Sequence, residues 1–114
     1  TGKYRAGEEP DEGWRLANTP AERREALLAP ERMEKVERLR ALAEQHDRSL
    51  LELAMSWLAN RPEVASVIAG ATTPEQVAGN AAAVSWHLDQ KVFAAIDKIV
   101  PPPAEGSTDT EERR

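Results

Sequence analysis

Apolar residues recur at helical spacing in five stretches of the chain, and these stretches set its predicted secondary structure. In residues 30–47, Met33, Val36 and Leu39 share one face while Glu and Arg fill the other. Residues 47–60 carry a Ser-x-x-Glu capping box and then an apolar run with almost no polar face, so that helix should be packed on two sides. The other three predicted helices span residues 20–28, 73–84 and 89–100. The second of these should begin with a Thr73-x-x-Gln76 capping box, and the third should be capped by Asp89.

One stretch, residues 63–70, has the pattern of a strand. It is short and nearly uncharged, and Val64, Val67 and Ile68 are β-branched. Continuous apolarity is typical of a strand buried on both faces, as in a parallel sheet. A lone buried strand would leave its backbone groups unpaired, so it needs neighbours that this chain does not contain. The predicted class is therefore α/β, and the chain is interpreted as a piece of a larger protein.

Composition narrows the functional classes. The 114 residues carry a net charge of −5, which argues against general nucleic-acid binding. The sequence has no cysteine, and the histidines at 46 and 87 are isolated, so no metal site is predicted. The apolar stretch at 50–59 is too short and too interrupted to cross a membrane, and no signal peptide is visible. We expect a soluble, cytoplasmic protein.

The junction between the predicted strand and the following helix, residues 66–80, holds the candidate chemistry. The amino end of a helix attracts anions through its free N–H groups, and Gly70 would let a ligand approach the backbone. Thr72 offers a hydroxyl, while Gln76 and Asn80 lie one helical turn apart. These residues could line a phosphate and a polar heterocycle. Taken alone, each also has an ordinary explanation: capping for the start of the helix, and a solvent-facing position for Asn80.

Three segments carry a resemblance to a known family: TGKYRAGEEP with GWRLA after it, SLLELAMSWLANRPEVASVIAGA, and GATTPEQVAGNAAAVSWHL. Together they resemble the C-terminal portion of a bacterial aldo/keto reductase, from the branch similar to the potassium-channel β subunits. The resemblance covers residues 1–100 and implies the last part of a (β/α)8 TIM barrel. That part would be the loop after strand 7, helix 7, strand 8, helix 8 and the closing helix. As an isolated chain it should be mostly α-helical. Residues 101–114 are predicted to be a disordered polar tail.

The resemblance implies a cofactor, NADP(H), with NAD(H) as the alternative. The residues matched to cofactor contacts are Lys3, Arg15, Gly70, Thr72, Gln76 and Asn80. The first two match the loop near the diphosphate, and the other four match the 2′-phosphate and adenosine end. Two positions depart from the family pattern: Thr73 replaces a common Arg or Lys, and Gly79 replaces a common Glu.

The family's catalytic Asp, Tyr, Lys and His lie on earlier strands, and none of that region is in this chain. No catalytic residue is therefore assigned, and Tyr4 belongs to the late loop. The resemblance implies a parent that reduces aldehydes or ketones to alcohols with NAD(P)H, its partner being a small carbonyl substrate. The chain alone should be inactive and should self-associate. The alternatives are a non-catalytic nucleotide-sensing protein and a helical interaction module.

Overall fold

The computed structural model describes residues 3–5, 7–8 and 10–102. A short 3₁₀ turn spans Arg15–Asn18. The five α-helices of the described residues are α1 (Ala21–Leu27), α2 (Pro30–Glu44), α3 (Leu50–Ala59), α4 (Pro74–Ala82) and α5 (Gln90–Ile99). All five predicted helices are confirmed, and so is the prediction of a mostly α-helical chain. The predicted tail lies almost wholly outside the described residues.

The core lies where α2, α3 and α5 pack together. Its buried part consists of one or two residues from each helix and one from the segment before α5: Ala43, Leu53, Leu88, Val92 and Ile96. Half-buried side chains, Trp57 and Phe93 among them, surround this centre. Residues of α2 and α5 meet α3 at this core, but Ala54 and Leu58 of α3 are exposed, so the nearly all-apolar surface of α3 is only partly covered.

Local capping fixes where α3 and α5 begin. At α3 the Ser49 Oγ accepts from the N–H of Glu52 at 3.2 Å, and the Glu52 carboxylate accepts from the N–H of Ser49 at 2.8 Å. This is the predicted capping box, complete in both directions. At α5 the carboxylate of Asp89 accepts from the N–H groups of Lys91 and Val92, each at 2.9 Å. Such caps satisfy N–H groups that have no partner within the helix.

The predicted strand at 63–70 is wrong for this structure: the described part of the chain contains no strand. The segment runs as an irregular, largely exposed connection from α3 to α4, and the side chain of Ile68 is 97 % exposed. The physical reason is that no second extended segment lies beside it among the described residues. An extended backbone without a neighbour gains no ladder hydrogen bonds.

A groove of about 570 Å³ opens between α2, α3 and α5. Its walls are mostly apolar and include Leu39, Leu50, Trp57, Leu58, Ile96 and Val100. At its rim the guanidinium of Arg61 lies 4.4 Å from the ring centre of Trp57 and 5.0 Å from that of Phe93. The same guanidinium approaches the carboxylate of Asp97 at 3.9 Å. Arg61 thus shields one edge of the apolar surface with its planar charged group.

Membrane insertion through a helix finds no support in the described residues. Their helices are all too short or too polar to reach across a bilayer.

Candidate functional site

The loop before α4 is tied to α4 by side-chain amides. Gln76 Oε1 accepts from the N–H of Thr72 at 2.7 Å and from the Thr72 hydroxyl at 3.1 Å. One turn further along, Asn80 Nδ2 donates to the carbonyl oxygen of Gly70 at 3.2 Å. The structure therefore brings together four of the six residues singled out from the sequence, and all four are at least partly exposed.

The capping pattern predicted for α4 is half correct. The Thr73 hydroxyl accepts from the N–H of Gln76 at 3.3 Å, as expected of an N-cap. The Gln76 side chain does not return to the backbone of Thr73, as a reciprocal box requires. It reaches one residue further, to Thr72, because the backbone of that residue presents its N–H to the helix. Gln76 consequently fixes the loop as well as the helix.

The electrostatics of this region are neutral to negative. Residues 62–90 include no Lys or Arg, and their acidic members are Glu63, Glu75 and Asp89. Glu75 lies in the first turn of α4, where its carboxylate accepts from its own N–H and from the Thr73 hydroxyl, and both bonds lower its pKa. A carboxylate at a helix amino end interacts favourably with the helix dipole. The amino end of α4 therefore already has an anion of its own.

The two glycines of the region are not required by the fold. A Cβ built at Gly70 or at Gly79 would meet no atom within 4 Å, and neither residue has a positive φ. A glycine inside a helix often reflects close packing, and the structure rules out that explanation for Gly79. Both positions instead leave open space beside the side-chain amides of Gln76 and Asn80, which we call the amide pair.

Lys3 and Arg15 occupy a different part of the surface. The ammonium of Lys3 lies 5.3 Å from the ring centre of Tyr4 and 5.2 Å from that of Trp14. Arg15 begins the 3₁₀ turn, and its carbonyl oxygen accepts from the Thr19 hydroxyl at 3.0 Å. Both cations are exposed. Within the described residues, no hydrogen bond or ion pair joins them to the loop before α4.

Two polar residues of α3 and its carboxyl end were not singled out from the sequence. Ser56 is fully buried, and the Asn60 side chain makes two hydrogen bonds. The segment that follows α4 is bonded by both side chains: Ser56 donates to the carbonyl oxygen of Ala83, and Asn60 donates to that of Trp86. The available signal was a serine within an apolar helix, but in the sequence alone a serine there only interrupts the apolar run.

The part of the chain that the structure describes contains no cluster of metal-ligating side chains. No three side chains of His, Cys, Asp or Glu lie close enough there to hold an ion together.

Comparison with known proteins places these observations in a family. The model of the family described as "Aldo/keto reductase family" matches residues 1–101. A "Putative voltage-gated potassium channel subunit beta" of Schizosaccharomyces pombe is 33 % identical over 105 residues, covering 88 % of this chain and 30 % of that protein. A "Probable voltage-gated potassium channel subunit beta" of Oryza sativa is 36 % identical over 112 residues, covering 88 % of this chain and 31 % of that protein.

A similarly named protein of Arabidopsis thaliana is 33 % identical over 84 residues, covering 74 % of this chain and 26 % of that protein. The chain thus spans less than a third of the length of these relatives. The family is one of (β/α)8 barrels and of oxidoreductases. With a family match that extends over nearly the whole described part of the sequence, the chain belongs to the aldo/keto reductase family.

Proposed function

We propose that this chain is the C-terminal part of an NAD(P)H-dependent oxidoreductase that reduces aldehydes or ketones to alcohols. In this proposal residues 66–80 form the adenosine side of the cofactor site, and Lys3 and Arg15 approach the diphosphate. The observation that carries it is the arrangement of Gly70, Thr72, Gln76 and Asn80, tied into one exposed surface by three hydrogen bonds.

The side-chain amides of Gln76 and Asn80 suit a nucleoside because a donor group and an acceptor group stay available between them. Among the described residues, the Gln76 amide nitrogen and the Asn80 Oδ1 make no hydrogen bond. An adenine edge combines an exocyclic amino donor with ring-nitrogen acceptors, which a donor and an acceptor on adjacent helical turns can match. The open space at Gly79 would let the base approach α4 closely.

A 2′-phosphate fits this segment less well than adenosine does. Residues 62–90 supply no cation, and Glu75 places negative charge at the amino end of α4. Any charged contact to a 2′-phosphate would have to come from elsewhere, and the cations that the proposal places near the cofactor are Lys3 and Arg15. We therefore keep both NADPH and NADH as cofactors to be tested.

The bound nicotinamide would supply the hydride that reduces the carbonyl carbon. The residues of this chain would contribute binding and orientation only, because none of them is assigned to proton transfer. Correct placement of the cofactor is itself a large part of catalysis in a two-reactant reaction. The chain alone is accordingly proposed to be inactive.

The test is calorimetric titration of NADPH and NADH into the chain and into a longer version extended upstream in its own gene. We expect binding by the longer protein. In that protein Gln76→Ala and Asn80→Ala should each weaken binding about tenfold, the effect of one well-placed hydrogen bond. Gln90→Ala is the matched control, because it removes an exposed amide from the first turn of α5 and should leave the affinity unchanged.

Two outcomes would contradict the proposal. Absence of binding of either dinucleotide to the longer protein would remove the cofactor assignment. Binding that is indifferent to both substitutions would return Gln76 and Asn80 to the role of tying the loop to α4.

A second candidate is a non-catalytic nucleotide-sensing subunit, favoured by the names of the similar proteins, which describe channel β subunits. It uses the same cofactor surface, so titration does not separate it from the first candidate. Turnover of an aldehyde by the longer protein does separate them: NADPH oxidation supports the reductase, and tight binding without turnover supports the sensor.

A further inference from the structure

Helix α4 is weakly held by its own side chains. None of the residues from 74 to 82 is buried, and only Gly79 and Asn80 are even half-buried. Hydrophobic packing therefore does little to fix the direction of this helix. Something beyond α4 must hold it against the rest of the fold.

The first attachment is a hydroxyl in the middle of α3. Ser56 has no solvent exposure, and its Oγ donates to the carbonyl oxygen of Ala83 at 2.7 Å. The Ser56 Oγ also accepts a hydrogen bond from the N–H of Trp86 at 3.3 Å. One buried hydroxyl thus uses both its donor and an acceptor on the segment that directly follows α4.

The second attachment lies one helical turn further along. Asn60 ends α3, and its Nδ2 donates to the Ser56 carbonyl oxygen at 2.8 Å and to the Trp86 carbonyl oxygen at 3.0 Å. Both backbone polar groups of Trp86 are therefore bound to α3 and its carboxyl end. We call Ser56 and Asn60, with their backbone partners at Ala83 and Trp86, the α3 clamp.

We infer that Ser56 and Asn60 are positioning residues for the proposed cofactor site. By holding Ala83 and Trp86, the α3 clamp fixes the carboxyl end of α4 and hence the direction in which α4 presents Gln76 and Asn80. This inference rests on the proposed function for the ligand, but its claim about α4 does not need one. The hydrogen bonds of both residues go to α3 and to the backbone after α4, not to Gln76 or Asn80, so each acts through the backbone that follows α4.

A purely structural role would give a different result. If the clamp only satisfied buried polar groups, its loss would lower the free energy of unfolding of the whole chain. Ligand affinity would then fall no more than in a core variant that loses the same stability. If it sets α4, its loss should loosen α4 more than the core of α2, α3 and α5. Affinity should then fall more than in an equally destabilised core variant.

The experiment compares Ser56→Ala and Asn60→Asp with Ile99→Val in the longer protein. Asn60→Asp keeps the shape of the side chain but removes the amide donor, and it serves if Ser56→Ala fails to fold. Ile99 is buried in α5, and its substitution trims the core without touching the clamp. Amide hydrogen exchange over residues 74–86 and the Kd for NADPH, or for NADH if it binds more tightly, are measured for each.

We expect faster exchange over 74–86 and about tenfold weaker binding in both clamp variants. Ile99→Val should show neither effect beyond its loss of stability. Wild-type exchange over 74–86 in the clamp variants would overturn the inference, as would an equal loss of affinity in Ile99→Val. If the wild-type protein binds neither dinucleotide, the proposed function fails and the clamp loses its ligand role. The exchange measurement then still decides whether the clamp sets α4.

Discussion

At the scale of single residues, Glu52 has the most strongly perturbed environment among the described carboxylates. Its carboxylate accepts from the N–H of Ser49 at 2.8 Å, from the Ser49 hydroxyl at 2.9 Å and from the Arg48 guanidinium at 2.9 Å. These bonds, the backbone one foremost, lower the pKa of Glu52 to about 2. All three favour the charged form, so protonation must weaken the start of α3.

This environment predicts how stability depends on pH. Because the pKa is lower in the folded chain than the ordinary value of 4.5, the contribution of Glu52 is fully present above pH 4.5. It is lost as the pH falls toward about 2. We expect Glu52→Gln to lower the free energy of unfolding at pH 7 by about 1 kcal/mol, the usual value of a cap. The variant should also lose less stability than the wild type between pH 4.5 and pH 2.

Urea unfolding at a series of pH values measures this, with Glu63→Gln as the control. Glu63 is exposed on the connection after α3, so its substitution removes the same charge without affecting a cap. A pH profile for Glu52→Gln that runs parallel to the wild type would contradict the prediction.

The hydrogen bonds of single residues were predictable where the two bonded residues lie within one helical turn of each other in the sequence. The Ser49 and Glu52 box and the Asp89 cap were readable because their hydrogen bonds span two or three residues. The hydrogen bonds of Ser56 span 27 and 30 residues, so no local sequence pattern predicts them. The link from Gln76 to Thr72 was misassigned by one residue, since two adjacent threonines offer similar partners.

At the scale of elements, α4 combines exposure with a glycine in its interior. Glycine in a helix costs about 1 kcal/mol relative to alanine, and position 79 has room for a methyl group. We expect Gly79→Ala to raise the free energy of unfolding by about 0.5–1 kcal/mol. Urea unfolding followed by circular dichroism measures the change.

The matched control is Ala78→Gly at the neighbouring exposed position, which should lower stability by a similar amount. If Gly79→Ala is neutral or destabilising, α4 does not respond as an ordinary exposed helix. In the longer protein, the same alanine should weaken dinucleotide binding if the open space at position 79 serves the ligand.

Helices were predictable from this sequence and the strand was not, for one physical reason. Each helix makes its backbone hydrogen bonds within itself, so spacing and caps suffice to specify it. A strand needs a neighbour, and residues 63–70 have an extended apolar pattern without one in the described structure. The candidate site followed the same division. Gln76 and Asn80 lie one turn apart on α4 and both bond the loop before it, while their role as a site and the relation of Lys3 and Arg15 to them stay predictions.

At the scale of the whole molecule, two apolar surfaces formed by described residues lack cover. One is the groove between α2, α3 and α5, where Leu58 is 36 % exposed. The other is the connection to α4, with its nearly fully exposed Ile68. Exposed apolar patches of this kind promote association.

We therefore expect the isolated chain to self-associate, as measured by sedimentation velocity over a range of concentrations. Leu58→Lys and Ile68→Lys should each shift the distribution toward monomer. Val77→Lys is the control, because Val77 is an exposed apolar residue of α4 outside the groove. A wild-type chain that stays monomeric throughout, or an equal response to Val77→Lys, would contradict this prediction.

The exposed connection between α3 and α4 affects where proteases cleave the chain. Irregular, exposed backbone is where cleavage begins, so we expect a nick within residues 63–72. The two pieces would still be held by the packing of α5, on one piece, against α2 and α3 on the other. A nicked chain should therefore migrate as two bands under denaturing conditions and elute as one particle under native ones.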